Sequence, residues 1–158
     1  MRLSHQRTIA IRVVGLAAVA AMALGVQGTV AGETIVTRGE FAAFATSSDP
    51  AFTGHATMVR TADGKTIVTV SVRGLAASTT YGSHVHMRAC ADTFAGGHYK
   101  DDLAGPASPP NEIWPEFATN AGGVGNGSAT APWVARPEAR SVVIHAPGGA
   151  KIACADLD

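Results

Sequence analysis

Charged and aromatic side chains are both scarce in this 158-residue chain, at 15% and 6% of its residues. Lysines and arginines form no cluster in the sequence, so we expect no nucleic-acid partner. Internal repeats, a coiled-coil pattern and a phosphate-binding loop are also missing. Glycine, by contrast, is common, with 18 residues, which is more typical of an all-β domain with many turns than of a helical bundle. The length suits a single domain with its own core.

Long apolar runs are missing except near the N-terminus, where residues 13–26 follow three arginines. The run is short for a membrane span but has the length of a signal-peptide core. We therefore predict that residues 1–31 are a signal peptide, cleaved after Ala31 or after Gly28, and that residues 32–158 form the mature domain. The protein would then be secreted, periplasmic or associated with the cell wall, without a stable membrane anchor. An uncleaved N-terminal anchor is the alternative.

Cysteine is rare too, since Cys90 and Cys154 are the only two in the chain. An oxidising compartment favours a disulfide between them. Closing a loop of 64 positions would stabilise the fold by about 4 kcal/mol in the chain-entropy description. The alternative is two free thiols, one of which serves as a metal ligand.

Strand-like runs separated by turn residues begin at position 34. The runs are residues 34–44, 52–60, 65–73, 127–134, 140–146 and 151–157, and residues 122–127 are predicted to be a turn. Asp63-Gly64 between the second and third runs is a strong hairpin signal. In the third run Val68, Val70 and Val72 share one face, because strand side chains alternate. His55 in the second run is interpreted as an ordinary strand residue.

Four of the six histidines form the main functional pattern in the chain. Ser83–Met87 alternates like a strand, so His84 and His86 point to the same side and can bind one metal ion. A glycine pair can turn the backbone so that His98 becomes a third ligand, and His145 is a fourth candidate. Two such histidines alone are equally well explained as ordinary strand residues, but four together favour a metal site.

Residues 99–115 form a long segment with several prolines and no strand pattern. A loop of this length in a compact domain is usually functional or disordered, and next to the histidines we expect it to wall or brace the site. Glu112 and Trp114, near its end, are the candidates for that role. A solvated glutamate and a core tryptophan are the alternative.

From about Gly54 to Leu157 the chain resembles the copper–zinc superoxide dismutase family. The segments with this resemblance are Gly82-Ser83-His84-Val85-His86, Ala95-Gly96-Gly97-His98, Val142-Val143-Ile144-His145-Ala146 and Lys151-Ile152-Ala153-Cys154. The resemblance implies an immunoglobulin-like Greek-key β-sandwich, or flattened barrel, of eight strands. It also implies four copper ligands, which are His84, His86, His98 and His145. A Cys90–Cys154 disulfide is implied as well, and Lys151 stands where the family normally has an active-site arginine.

The zinc site of that family is missing from the sequence. Its histidines would follow the third copper ligand, but no histidine lies between Tyr99 and Ile144. The charged loop before the final strand is missing too, because only eight residues separate His145 from Cys154. Both losses resemble the copper-only branch of the family. We therefore expect copper and no zinc, and the Irving–Williams order also favours copper at four imidazoles.

The resemblance implies an enzyme that converts superoxide to O2 and hydrogen peroxide by Cu(II)/Cu(I) cycling. His98 would release copper and take a proton on reduction, and Lys151 would attract the superoxide anion. Without zinc, the outer nitrogen of His98 needs another partner, and we predict that Glu112 accepts its hydrogen bond. The alternatives are an exported copper-binding protein with little turnover and a structural β-sandwich that binds no metal.

Overall fold

The structure is a computed structural model that describes residues 32–47 and 51–158. Its strands are β1 (Ile35–Glu40), β2 (Ala42–Ala43), β3 (Thr53–Arg60), β4 (Thr66–Arg73), β5 (Thr80–His86), β6 (Phe117–Ala118), β7 (Val124–Ala131), β8 (Ser141–His145) and β9 (Lys151–Asp156). A short turn with left-handed backbone conformation lies at Thr93–Ala95. The predicted all-β class is confirmed. The predicted signal peptide lies outside the described residues, and within them no helix is long and apolar enough to cross a membrane.

One layer of the fold is a four-stranded antiparallel sheet in the order β1-β3-β4-β7. Its inner face follows from the alternation in β4, where Val68, Val70 and Val72 are buried while Thr69 is exposed. The connection between β3 and β4 turns at Gly64, whose φ of +88° is easily adopted by a residue without a Cβ. The predicted hairpin and the predicted shared face are therefore both present.

The second layer is a five-stranded antiparallel sheet in the order β2-β9-β8-β5-β6. β8 is buried along its whole length, because β5 and β9 flank it and the first sheet covers its inner face. Gly82 pairs with His145, and His84 pairs with Val143. This register places the histidine-bearing parts of β5 and β8 side by side.

The segment 34–44 explains why the described residues form nine strands rather than the predicted eight. β1 pairs with β3 in the first sheet, whereas β2 pairs with β9 in the second. The run predicted as one strand, residues 34–44, is therefore divided at Phe41, whose side chain enters the core. Counted as one strand that crosses between the layers, this segment restores the count of eight.

The glycine-rich stretch 122–127 is only partly the predicted turn, and the rest of that prediction is wrong. The turn ends at Gly123, and the remaining residues belong to β7. A Cβ atom on Gly125 would overlap the ring of Phe117, and one on Gly127 would overlap a backbone carbonyl oxygen of the preceding loop. Close packing of other chain segments, rather than turn formation, accounts for these two glycines.

The loop formed by residues 99–115 contains no strand, as predicted, and hydrogen bonds from side chains inside and outside the loop hold it in place. Asn111 accepts a hydrogen bond from the backbone N–H of Asp102 at 2.7 Å and donates to the carbonyl of the same residue at 2.9 Å. Arg136 donates to the carbonyl of Asp101 at 2.6 Å. The bonds of Asn111 therefore close the loop on itself, and the bond from Arg136 attaches it to the segment between β7 and β8.

Candidate metal centre

Two neighbouring strands and the start of the long loop bring four histidines together. His84 and His86 are on β5, His145 ends β8, and His98 forms an isolated β-bridge with His86. One ring nitrogen from each histidine lies within 4.8 Å of those of the other three. A cluster of this size suits a metal ion about 2 Å from each nitrogen. All four histidines predicted as ligands are therefore in one place.

Hydrogen bonds on the outer nitrogens determine the tautomers of His86 and His145. His86 Nδ1 lies 3.1 Å from the carbonyl oxygen of Gly96, and His145 Nδ1 lies 3.0 Å from that of Gly149. Because a carbonyl only accepts, each Nδ1 has the proton and each Nε2 keeps a lone pair. The two Nε2 atoms are 3.3 Å apart. Lone pairs that face each other in a buried site need a cation between them, and a metal ion would supply it.

The third ring, that of His98, is anchored by the end of the long loop. Its Nδ1 atom lies 2.7 Å from Glu112 Oε2, and Trp114 Nε1 donates to the same oxygen at 2.7 Å. Glu112 is only 2% exposed, so the alternative of a solvated glutamate is wrong. A carboxylate that accepts from Nδ1–H leaves Nε2 of the ring available to a metal.

His84 differs from the other three because its Nδ1 atom is buried without a hydrogen-bond partner. Its Nε2 atom lies 3.8 Å from Glu116 Oε1, and its ring centroid is 5.0 Å from that of Trp114. A buried nitrogen without a partner costs free energy, and a metal bound there would remove that cost. Sequence analysis did not single out Glu116. The only feature of the sequence that could have indicated a role for it is its position two residues after Trp114.

Burial favours the neutral form of three of the four rings, those of His84, His86 and His145. It is the main reason that the pKa of His84 and that of His86 are lowered to about 3. Positive charge on His98 adds to this effect at His84, and that on Lys151 adds to it at His86. Burial also lowers the pKa of His145. Since neutral imidazole is the form that binds metals, protons compete little for these nitrogens.

Lys151 lies next to the cluster, opposite His145 in the register of β8 and β9. Its ammonium group donates to the carbonyl oxygens of Phe94 and Gly96, both at 2.6 Å. Burial lowers the pKa of Lys151. The carbonyl oxygen of Gly96 also accepts the hydrogen bond from His86. The cation expected near the metal is therefore present, but it is already hydrogen-bonded to the backbone turn that orients one of the histidines.

A disulfide joins Cys90 to Cys154, so the alternative of two free thiols is wrong. It attaches the segment between β5 and His98 to β9. The backbone N–H of Cys90 also donates to Asp156 Oδ1 at 2.7 Å. Two attachments to the same strand therefore hold the segment that leads into the third histidine.

His55, interpreted as an ordinary strand residue, lies outside the cluster. It is in β3 of the first sheet, between Glu40 and Ser71 in register. In the part of the chain that the structure describes, the four clustered histidines are the single group of three or more histidine, cysteine or acidic residues with metal-binding geometry. The lack of a zinc site stays a prediction from the sequence.

Comparison with known proteins shows which solved structures have a similar fold. No protein-family model matches the chain, and no curated protein sequence matches it. Among solved structures, it is similar to a glutamate-to-glutamine variant of Candida albicans superoxide dismutase 5, with a TM-score of 0.50 and 17% identity over 77% of this chain and 91% of that chain. A glutamate-to-alanine variant of the same protein gives a TM-score of 0.48 and 18% identity over 77% and 89%. The chain therefore has the Greek-key β-sandwich fold of the superoxide dismutase family to which its sequence motifs pointed.

Proposed function

We propose that this chain is an exported, copper-dependent superoxide dismutase that converts superoxide to O2 and hydrogen peroxide. The observation that supports this proposal is the set of four histidines, each with one ring nitrogen directed into a common centre. The similar solved structure with a TM-score of 0.50 is a superoxide dismutase by name. The proposal includes a signal peptide of residues 1–31 and a mature domain of residues 32–158.

The donor set fits copper. Its members are all imidazole nitrogens, and such sites bind Cu(II) more tightly than the other divalent first-row metals. Bound copper would supply the one-electron redox chemistry of both half-reactions. We propose that zinc is not a second resident metal, since no histidine lies between Tyr99 and Ile144.

We propose that His98 is the ring that water and a small anion reach, and that Glu112 controls the protons on that ring. The side chain of His98 is 31% exposed, whereas that of Glu112 behind it is 2% exposed. Water and a small anion can therefore reach the front of the ring while its back stays anchored. Glu112 holds a proton at Nδ1, which orients Nε2, and its charge stabilises the ring whenever Nε2 takes a proton as well.

Lys151 would provide the positive charge that attracts superoxide. An ammonium group has three N–H donors, and the carbonyls of Phe94 and Gly96 occupy two of them. One donor is left for an anion. Lysine lacks the planar donor fork of arginine, so we expect attraction to the site rather than bidentate binding.

A second function, copper binding with little turnover, is favoured by one observation. The ammonium group of Lys151 makes two short hydrogen bonds to the backbone, so it is less free to approach a substrate than an unattached cation would be. An exported copper carrier needs the four histidines but no substrate attraction. The same preparation can distinguish the two functions.

The test uses the purified, oxidised protein after exposure to equal amounts of copper and zinc. We expect one copper per chain, no stoichiometric zinc, and superoxide disproportionation far above that of the metal-free protein. His86→Ala should lose copper and activity, while His55→Ala, outside the cluster, should keep both. Copper binding without turnover would favour the carrier, and failure to bind copper would contradict both functions.

A further inference from the structure

A groove of about 410 Å³ lies between the start of β1, the end of β9 and the loop after β7. Its walls are mainly apolar, and two large side chains in them are open to solvent, with Ile35 50% and Val134 46% exposed. This volume is within the range of small-molecule sites, about 300–1,000 Å³. None of the four clustered histidines lines the groove, so the metal centre does not account for it.

Two guanidinium groups line the same groove without an acidic partner. Arg60 donates to three backbone carbonyl oxygens, and burial lowers its pKa. Arg140 has an exposed side chain at the rim. In residues 32–47 and 51–158, neither arginine has a carboxylate within ion-pair distance. The groove therefore combines apolar walls with positive charge that no neighbouring acid neutralises.

A buried hydroxyl adds a third feature. Thr37 lines the groove, and its Oγ1 atom is buried without a hydrogen-bond partner. A buried polar atom in this state costs free energy, which a small shift that exposes the hydroxyl to a ligand oxygen would recover. A hydroxyl can donate or accept, whereas arginine only donates, so the arginines determine that the matching ligand group is an acceptor with negative charge.

We propose that this groove binds a single-chain aliphatic carboxylate of medium length, with its head group at Arg140 and its chain along Ile35 and Val134. A carboxylate suits the planar donor fork of arginine, and Thr37 can donate to it or to a bridging water. An inorganic anion would leave the apolar walls exposed to water. A neutral alcohol would leave the positive charge of both arginines without a negative charge opposite it.

Calorimetric titration of the whole metal-loaded protein tests this inference, with decanoate below its micelle concentration as the probe. We expect saturable binding of one decanoate per chain. Decyltrimethylammonium, which has the same chain and the opposite charge, should bind at least about tenfold more weakly, as should decanol. Arg140→Gln should weaken decanoate binding about tenfold, since charge-assisted bidentate bonds are strong.

Arg73→Gln is the matched control. Arg73 is an exposed arginine at the last position of β4, and it does not line the groove. The variant should bind decanoate like the wild type. Val134→Asp, at a half-exposed position, places a negative charge in the groove and should weaken decanoate binding at least as much as Arg140→Gln does, so the test does not depend on one variant. Absence of saturable binding, equal binding of the cationic probe, an equal loss in Arg73→Gln, or binding only to anionic phospholipid vesicles would overturn the proposal.

Discussion

Glu112 and His98 are joined by a 2.7 Å hydrogen bond between Oε2 and Nδ1, across 14 positions of sequence. The long loop lies between them, so the orientation of the ring and the conformation of the loop depend on each other. Trp114 donates to the same oxygen at 2.7 Å, which fixes the carboxylate from a second side. The outer nitrogen of the third candidate ligand is therefore held by the protein without a second metal.

Replacing Glu112 by glutamine keeps the shape of this side chain and removes its charge. The amide oxygen can still accept from His98, so we expect copper to remain bound. Turnover of superoxide should fall roughly tenfold, because a hydrogen bond to a charged group is stronger than one to a neutral group by about 1.4 kcal/mol, which is a factor of ten in an equilibrium constant. The fall should be largest at alkaline pH, where protons are scarce. Superoxide disproportionation by the copper-loaded variant, followed from neutral to alkaline pH, measures the effect.

The matched control for this variant is Glu40→Gln, whose carboxylate is 72% exposed on β1. It should leave both the rate and its pH profile unchanged. A wild-type pH profile in Glu112→Gln would remove the proposed role of the carboxylate. Loss of copper from that variant would instead show that the charge is needed for binding.

Trp114→Phe removes the indole N–H and keeps an aromatic ring against His84. Glu112 then loses one of its two donors in a buried position, which should cost about 1–3 kcal/mol of unfolding free energy. We expect the copper content to be unchanged and the turnover to fall less than in Glu112→Gln, because the bond to His98 remains. Urea unfolding and superoxide assays measure the two effects. Trp133→Phe, a comparable change away from the cluster, should leave the pH profile of turnover as it is.

Local patterns were enough to predict much of the site. The alternation of a strand has a period of two, so His84 and His86 could be assigned to one side from five residues of sequence. The hairpin at Asp63-Gly64 was equally local. His98 and His145 were proposed as further candidates from a glycine pair and a strand end, and the family resemblance implied all four together. The structure brings one ring nitrogen of each histidine within 4.8 Å of those of the other three, although no local rule specifies which strands become neighbours.

The features that sequence analysis missed all depend on contacts between distant segments. Glu116 is near His84 only because the chain returns to β5 after the long loop. Gly125 and Gly127 resembled turn glycines, but they are strand residues over which Phe117 and the preceding loop pack closely. Lys151 was predicted to attract the superoxide anion, but no sequence pattern indicated that a turn far from it along the chain supplies two acceptors for its ammonium group.

Removal of the disulfide with Cys90→Ala and Cys154→Ala should lower the free energy of unfolding by about 4 kcal/mol, because the unfolded chain gains freedom. The bond from Cys90 N–H to Asp156 remains, so we expect the variant to fold but to exchange amide hydrogens faster in residues 88–98. Urea unfolding and hydrogen exchange measure both effects. Asp156→Ala removes only the hydrogen bond and should cost less, about 1–3 kcal/mol. Two free thiols in unreduced wild-type protein would contradict the prediction.

Acid should destabilise the metal-free protein through its histidines. The pKa values of His84 and His86 are about 3 in the folded state, against about 6.5 in an unfolded chain. Between these two values the unfolded state binds more protons, so the free energy of unfolding falls as the pH falls. Above about pH 6.5 both states are neutral and the contribution is complete. His145, whose pKa is also lowered by burial, acts in the same direction.

Urea unfolding of the metal-free protein between about pH 6.5 and 5 isolates this effect, because carboxylates titrate mainly below that range. We expect the free energy of unfolding to decrease steadily with acidification. In His86→Gln one of the titrating groups is gone, so the decrease should be shallower even though the variant starts from a different stability. A free energy of unfolding that stays constant over this range, or a steeper decrease in His86→Gln, would contradict the depressed pKa values and the buried, neutral cluster that they describe.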